Sequence, residues 1–211
     1  MSLAIVQSRA EHGVSAMEVS VEVHLSGGLP SFSIVGLPEA AVRESRDRVR
    51  SALIACNFEF PRKRITVNLA PADLRKDGAA FDLPIAIGVL ASRGKLMLSP
   101  CRQGLLLAGE LSMDGRIKPV RGALSLAASV RQQGLKGIVL PEANATEAAM
   151  VEGIDVFGVE TLRQAAEFLG GGNGLSASVP RSIACEKPGG RAQVDFSEVS
   201  GQTEARRAAE V

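Results

Sequence analysis

The residues best placed to do chemistry in this sequence lie in one stretch, Arg75-Lys76-Asp77-Gly78-Ala79-Ala80-Phe81-Asp82-Leu83-Pro84. A glycine loop whose backbone N–H groups lead into a helix N-terminus can hold an anion or polarise a carbonyl oxygen. Acyl chemistry would also need a nucleophile with an adjacent base, and positions 78 to 81 supply only Gly, Ala and Phe. The plainer reading is that Gly78 permits a tight turn into a core helix. The second chemical resource is cationic. Arg62, Lys63 and Arg64 stand together without an acid between them, Arg75 and Lys76 follow, and Arg43, Arg46 and Arg50 recur upstream among Glu44 and Asp47. Such groups can track phosphates. They can equally form a solvated face laced with ion pairs.

These residues need elements to position them. Ile65 to Leu69 is strand-like, and the apolar run from Leu83 to Leu90 closes at Gly94, giving strand, loop and buried helix. Asp82 is the expected N-cap, with Pro84 in the first turn, where its missing N–H breaks no helical bond. Residues 4 to 9, 17 to 25 and 31 to 35 predict an antiparallel sheet, and from Met17 to Leu25 every odd residue is apolar and every even one polar. A helix from Pro38 to about Cys56 carries the apolar stripe Val42, Val49, Leu53 and Ile54. Beyond Gly94 the pattern predicts a hairpin of 105 to 109 with 112 to 118 around Met113-Asp114-Gly115, helices at 121 to 133, 143 to 151 and 161 to 169, the last capped by Thr161, and strands at 137 to 141 and 155 to 159. An antiparallel first half followed by alternating strands and helices is an α+β, mixed α/β sandwich.

Composition excludes several function classes. The chain has 211 residues with 45% hydrophobic content, enough for one sizeable core occupying 1 to 170. Gly, Ser and Pro then mark 171 to 194 as a linker. A formal net charge of +1 leaves any nucleic-acid reading to local clustering. Cys56, Cys101 and Cys185 have no paired spacing, and His12 and His24 stand apart, so no metal is expected and a reducing cytoplasm is. No signal peptide and no run of roughly 18 apolar residues is present, so no membrane partner is expected. With no Trp, no Tyr and only 7 Phe, base stacking has few candidates.

Lys76 to Asp82 resembles the Lys-Asp-Gly-Pro-Ser-Ala-Gly signature of the Lon protease domain, in which the serine is the nucleophile. In that register the serine position is Ala80. A second Lon landmark, a Gly-Glu hairpin followed by a helix with the catalytic lysine, is matched by Gly109 to Leu124, and the lysine position falls on Leu124. Both members of the dyad are thereby aliphatic, and the register expects Ala80 at the start of the central helix with Leu124 near it, both packed by apolar neighbours. A longer resemblance runs through Gly28 to Pro38, Ala41 to Arg50, Phe58 to Pro61 and Gly78 to Pro84, and identifies the N-terminal domain of Mg-chelatase-like AAA+ proteins, the ComM/YifB family.

That resemblance implies a ribosomal-protein-S5 domain 2-like, Lon-like fold without catalytic residues in this chain. It implies a whole protein that is an ATP-driven hexameric motor acting on single-stranded or branched DNA, in branch migration during natural transformation. The nucleic-acid contacts would then fall on Arg43, Arg46, Arg50, Arg62, Lys63, Arg64, Arg75 and Lys76. Residues 195 to 211 resemble the entry to an AAA+ domain, upstream of a Walker A loop. The expectation is a truncated chain with no cofactor of its own, ATP and Mg²⁺ belonging to the full-length protein. Two alternatives stand beside it: a divergent serine peptidase using Ser112 or Ser125 with Lys118, and a magnesium-chelatase-like subunit.

Overall fold

The computed structural model describes residues 2–13, 15–179 and 200–210. Two compact units divide the chain, Met1–Arg181 and Ser182–Val211. In the second, the described element is one helix, Thr203–Glu210. Most of the interval read as a linker, and the start of the expected further domain, lie outside the described residues.

The first unit opens with β1 (Ser2–His12), β2 (Ser15–Ser26) and β3 (Ser31–Val35), followed by α1 (Ala40–Ala55) and β4 (Arg64–Ala70). The sheet order is β1-β2-β4-β3. β1 and β2 pair antiparallel, as the alternation predicts, and β4 pairs antiparallel with β2, but β3, expected in the antiparallel set, runs parallel to β4. The reason is α1: a helix between two strands returns the chain to the end it started from, so the pair must be parallel. Val19, Val21, Val23 and Leu25 all turn inward, joined by Ile65, Val67 and Leu69. Met17 breaks the pattern at the strand's end, 48% exposed.

Across that inner face lies α2 (Asp82–Ser92), buried at nearly every position. Its approach depends on Gly88, where an added Cβ would come within 2.5 Å of Val23 Cγ2. Leu83, Ile85, Ile87 and Val89 are fully buried. Burying a side chain of this kind contributes about 1.5 to 3 kcal/mol against leaving it in water. α2 therefore holds the sheet and α1 in one core.

The second half supplies β5 (Leu106–Leu107), the hairpin β6 (Glu110–Leu111) and β7 (Ile117–Lys118), and α3 (Ala123–Gln132). Then come β8 (Gly137–Pro141), α4 (Glu142–Ala148), β9 (Asp155–Val159) and α5 (Leu162–Leu169). β5, β8 and β9 form a parallel sheet, so residues 106 and 107 pair outside the hairpin that sequence reasoning gave them to. The Asp114-Gly115 turn does close β6 on β7, and Thr161 does cap α5 through its hydroxyl oxygen, which accepts from the Gln164 N–H at 3.2 Å. Ser8 Oγ donates to the Leu107 carbonyl at 2.9 Å and ties the two sheets together.

The folded body runs past position 170: Leu175 packs on the main core, and the Ser178 N–H donates to the Val156 carbonyl at 2.7 Å. Glycine-rich composition alone had marked this segment as a linker. Among the described residues no helix is long and apolar enough to cross a membrane.

Candidate functional site

The start of the helix that follows the glycine loop is satisfied from within the fold, as the plainer reading of a turn into a core helix expects. The Asp82 N–H donates to the Ala79 carbonyl at 3.1 Å, the Leu83 N–H to the Gly109 carbonyl at 3.0 Å, and Pro84 has no N–H, so the first three helical positions of α2 offer no donor to a ligand. Gly109 also donates its own N–H to the Ala80 carbonyl at 2.9 Å. Asp82 is not the N-cap. Phe81 is, without a side-chain cap bond.

The carboxylate of Asp82 turns instead toward α1, 34 residues upstream, where Arg48 Nε donates at 2.6 Å and Nη2 at 3.1 Å. The Leu111 N–H donates to it at 3.1 Å. Asp82 is fully buried and the Arg48 side chain 18% exposed. The hydrogen bond that Arg48 donates to Asp82 holds the guanidinium pKa above its ordinary value. Burial pushes the Asp82 carboxyl up, while Arg48, Ser45 and the Leu111 N–H oppose it. Two guanidinium donors and a backbone N–H converge on one carboxylate, the geometry of a charge-assisted pair.

Ala80 is half-buried before α2, as the Lon register expects. Leu124 departs from expectation. It is 44% exposed at the start of α3, with its backbone N–H donating to Glu147 Oε1 at 3.2 Å, so it is not packed among apolar neighbours. Of the displaced groups a peptidase would need, Lys118 Nζ stands 3.7 Å from Glu110 Oε1. Neither Ser112 nor Ser125 makes a side-chain hydrogen bond to a base among the described residues.

The cations sort themselves along α1. Residues 42, 45, 49, 52 and 53 face the core, which leaves Glu39, Arg43, Arg46 and Arg50 on one exposed edge that ends at Ile54, itself 53% exposed. Ile54 therefore does not belong to the buried stripe. At the helix N-terminus Arg75 joins this edge, its Nη1 3.7 Å from Glu39 Oε1. At the other end Arg50, Arg62 and Lys63 line one cavity of about 430 Å³ with Phe32, Phe58 and Phe60. Arg62 and Lys63 also border a neighbouring cavity with Arg93. Arg64 stands beside Gly28 rather than in either.

Lys76 is the exception among the predicted contacts. Its side chain is fully buried, with Nζ donating to the Pro71 carbonyl, and burial lowers its pKa. A lysine in that position has no ammonium to offer a phosphate. Arg46 lies 3.6 Å from Asp47. Among the described residues, Arg43, Arg50, Arg62, Lys63 and Arg64 have no carboxylate within ion-pair distance. Sequence reasoning missed the three phenylalanines beside the cations; Phe58-Glu-Phe60-Pro next to Arg62 was the available signal.

The sequence holds no Gly-Lys-[Ser/Thr] loop of the P-loop kind, and the lysine preceding the glycine loop is the inward-facing Lys76. Among the described residues no three His, Cys, Asp or Glu side chains gather in metal-binding geometry.

The family model for subunit ChlI of Mg-chelatase matches residues 21–144, an interval containing every cation of the α1 edge and both dyad positions. Competence protein ComM of Haemophilus influenzae is 43% identical over 210 residues, covering 99% of this chain and 41% of its own length. The uncharacterized protein YifB of Escherichia coli is 41% identical over 211 residues, 100% of this chain and 40% of its own. Lon protease 2 of Bacillus subtilis is 22% identical over 180 residues, covering 77% of this chain. The chain spans about two fifths of the length of the ComM and YifB relatives.

Proposed function

This chain belongs to the Mg-chelatase subunit ChlI-like family, with ComM and YifB among its relatives, and on that premise we propose that it is a non-catalytic, Lon-like domain through which an ATP-driven motor holds DNA. The observation that carries the reading is the exposed edge of α1, where Arg75, Arg43, Arg46 and Arg50 lead to Arg62 and Lys63. A helix of 16 residues spans about 22 Å between its first and last residue, room for about six phosphates of one strand. The aliphatic residues at 80 and 124 support a role without peptide hydrolysis.

In the whole protein, ATP and Mg²⁺ would act in the motor, in a hexameric ring working in the cytoplasm on single-stranded or branched DNA. One relative's name, competence protein, fits branch migration during transformation. Self-association is a second role, favoured by Leu3 and Ile5, 62% and 52% exposed on the outward face of edge strand β1.

Fluorescence anisotropy of labelled single-stranded, duplex and forked DNA at several salt concentrations tests the reading. Binding is expected to be sequence-independent, with a log-log salt slope of about −3 to −4 from four to five neutralised phosphates. No saturable binding at low salt would remove DNA contact from this domain.

A further inference from the structure

The cavity at the end of the cationic edge is not only basic. Its walls include Phe32 and Phe60, with ring centroids 6.0 Å apart, and the exposed Ile54. The Arg50 guanidinium lies over the Phe60 ring, 5.4 Å from its centroid. Phe32, Phe58 and Phe60 are each half-buried, so one side of each packs on the core while the rest remains open. Phosphate tracking alone has no use for an open phenyl surface, because backbone contacts are made by cations and N–H groups.

We propose that this cavity takes an unstacked base of a single strand of nucleic acid, with Phe60 as its stacking face and Arg50, Arg62 and Lys63 holding the flanking phosphates. The inference rests on the nucleic-acid reading above and narrows it to single strands. A base inside a duplex already stacks on both faces and cannot enter, whereas an unpaired base offers a π-face to any phenyl ring, whatever its sequence. A volume of about 430 Å³ falls within the range of small-ligand pockets.

The contact between Arg50 and Phe60 is of the weak, exposed kind. An arriving base exchanges it for stacking, and the guanidinium turns to phosphate. Glu59, the acid on the rim, is engaged at 2.8 Å by Arg93, which holds its carboxyl below the usual range and offsets its charge toward an incoming strand.

The experiment compares, on the unaltered chain, a short oligothymidylate with the same oligomer in which abasic sugars replace the nucleosides, the phosphates being equal in number. The abasic strand should bind about 5- to 10-fold more weakly, with an unchanged salt slope. Phe60→Leu keeps an apolar side chain against the core and should lower oligothymidylate affinity to the abasic level without changing abasic affinity. Equal affinities for the two strands, or a preference for duplex, would overturn the base pocket and leave the phosphate edge standing. Absence of binding to either strand would overturn both. Concentration-dependent self-association of the chain, abolished by Phe60→Leu, would assign the cavity to a second copy and overturn the proposal.

Discussion

Arg48 and Arg50 leave the same helix two positions apart and meet opposite surroundings. Arg48 turns to the seam between α1 and α2, where the fully buried Asp82 carboxylate takes both of its donors. Arg50 turns outward, over Phe60, into a cavity with Arg62 and Lys63 and no carboxylate in ion-pair distance among the described residues. The first arginine is consumed by the fold. The second remains available to a ligand. A positive charge in a sequence is therefore a stronger functional candidate when the fold leaves it exposed and without a buried partner, and here a difference of two helical positions decides that.

The comparison breaks most visibly in stability. Arg48→Met strands the Asp82 carboxylate in the core without its charged partner, leaving Ser45 and the Leu111 N–H, and should lower unfolding free energy by about 3 kcal/mol in urea titration. Adding Asp82→Leu should return most of that loss, because the pair is then replaced by apolar volume. A single-variant loss under about 1 kcal/mol would mean the seam is not held by this pair. On the outer edge, Arg50→Ala should instead leave the unfolding midpoint nearly unchanged and reduce the DNA salt slope by about 1. Lys76→Met sharpens the contrast within the predicted basic group. Its ammonium is already spent on Pro71, whose neighbourhood is exposed enough for water to replace it, so stability should move by no more than about 1 kcal/mol and the salt slope not at all. The smallest effect expected is none: a serine-directed fluorophosphonate probe should label no residue of the chain by mass spectrometry. Labelling of Ser112 or Ser125 would restore a peptidase reading.

Local signals carried much of the fold in the sequence. The alternation in Met17 to Leu25 gave β2 its inner face from Val19 onward, the Asp114-Gly115 pair gave the hairpin, and Thr161 gave the cap of α5, because each depends on neighbours within a few residues. What failed depends on distant partners. The parallel setting of β3 follows from where α1 returns the chain. Asp82 satisfies every local rule for an N-cap, yet a guanidinium 34 residues away competes for its carboxylate and wins by being charged. Lys76 looked like one more surface cation next to Arg75, and its burial follows from the backbone bridge between Pro38 and Lys76, which draws the loop against the start of α1. For the candidate site, the cations of α1 were legible from helical spacing. Their meeting with Arg62, Lys63 and three phenylalanines was not, since β3, α1 and the segment before β4 come together only in the folded sheet.

The central claim, that the free cations beside α1 hold a nucleic-acid backbone, is tested most directly by the salt dependence of single-stranded DNA binding in a chain carrying Arg62→Ala, Lys63→Ala and Arg64→Ala. Loss of three phosphate contacts should reduce the log-log slope by about 2 to 3 units and weaken binding about equally for all sequences, with the unfolding midpoint almost unmoved. An unchanged affinity and slope in a folded triple variant would contradict the claim and return these residues to the solvated surface.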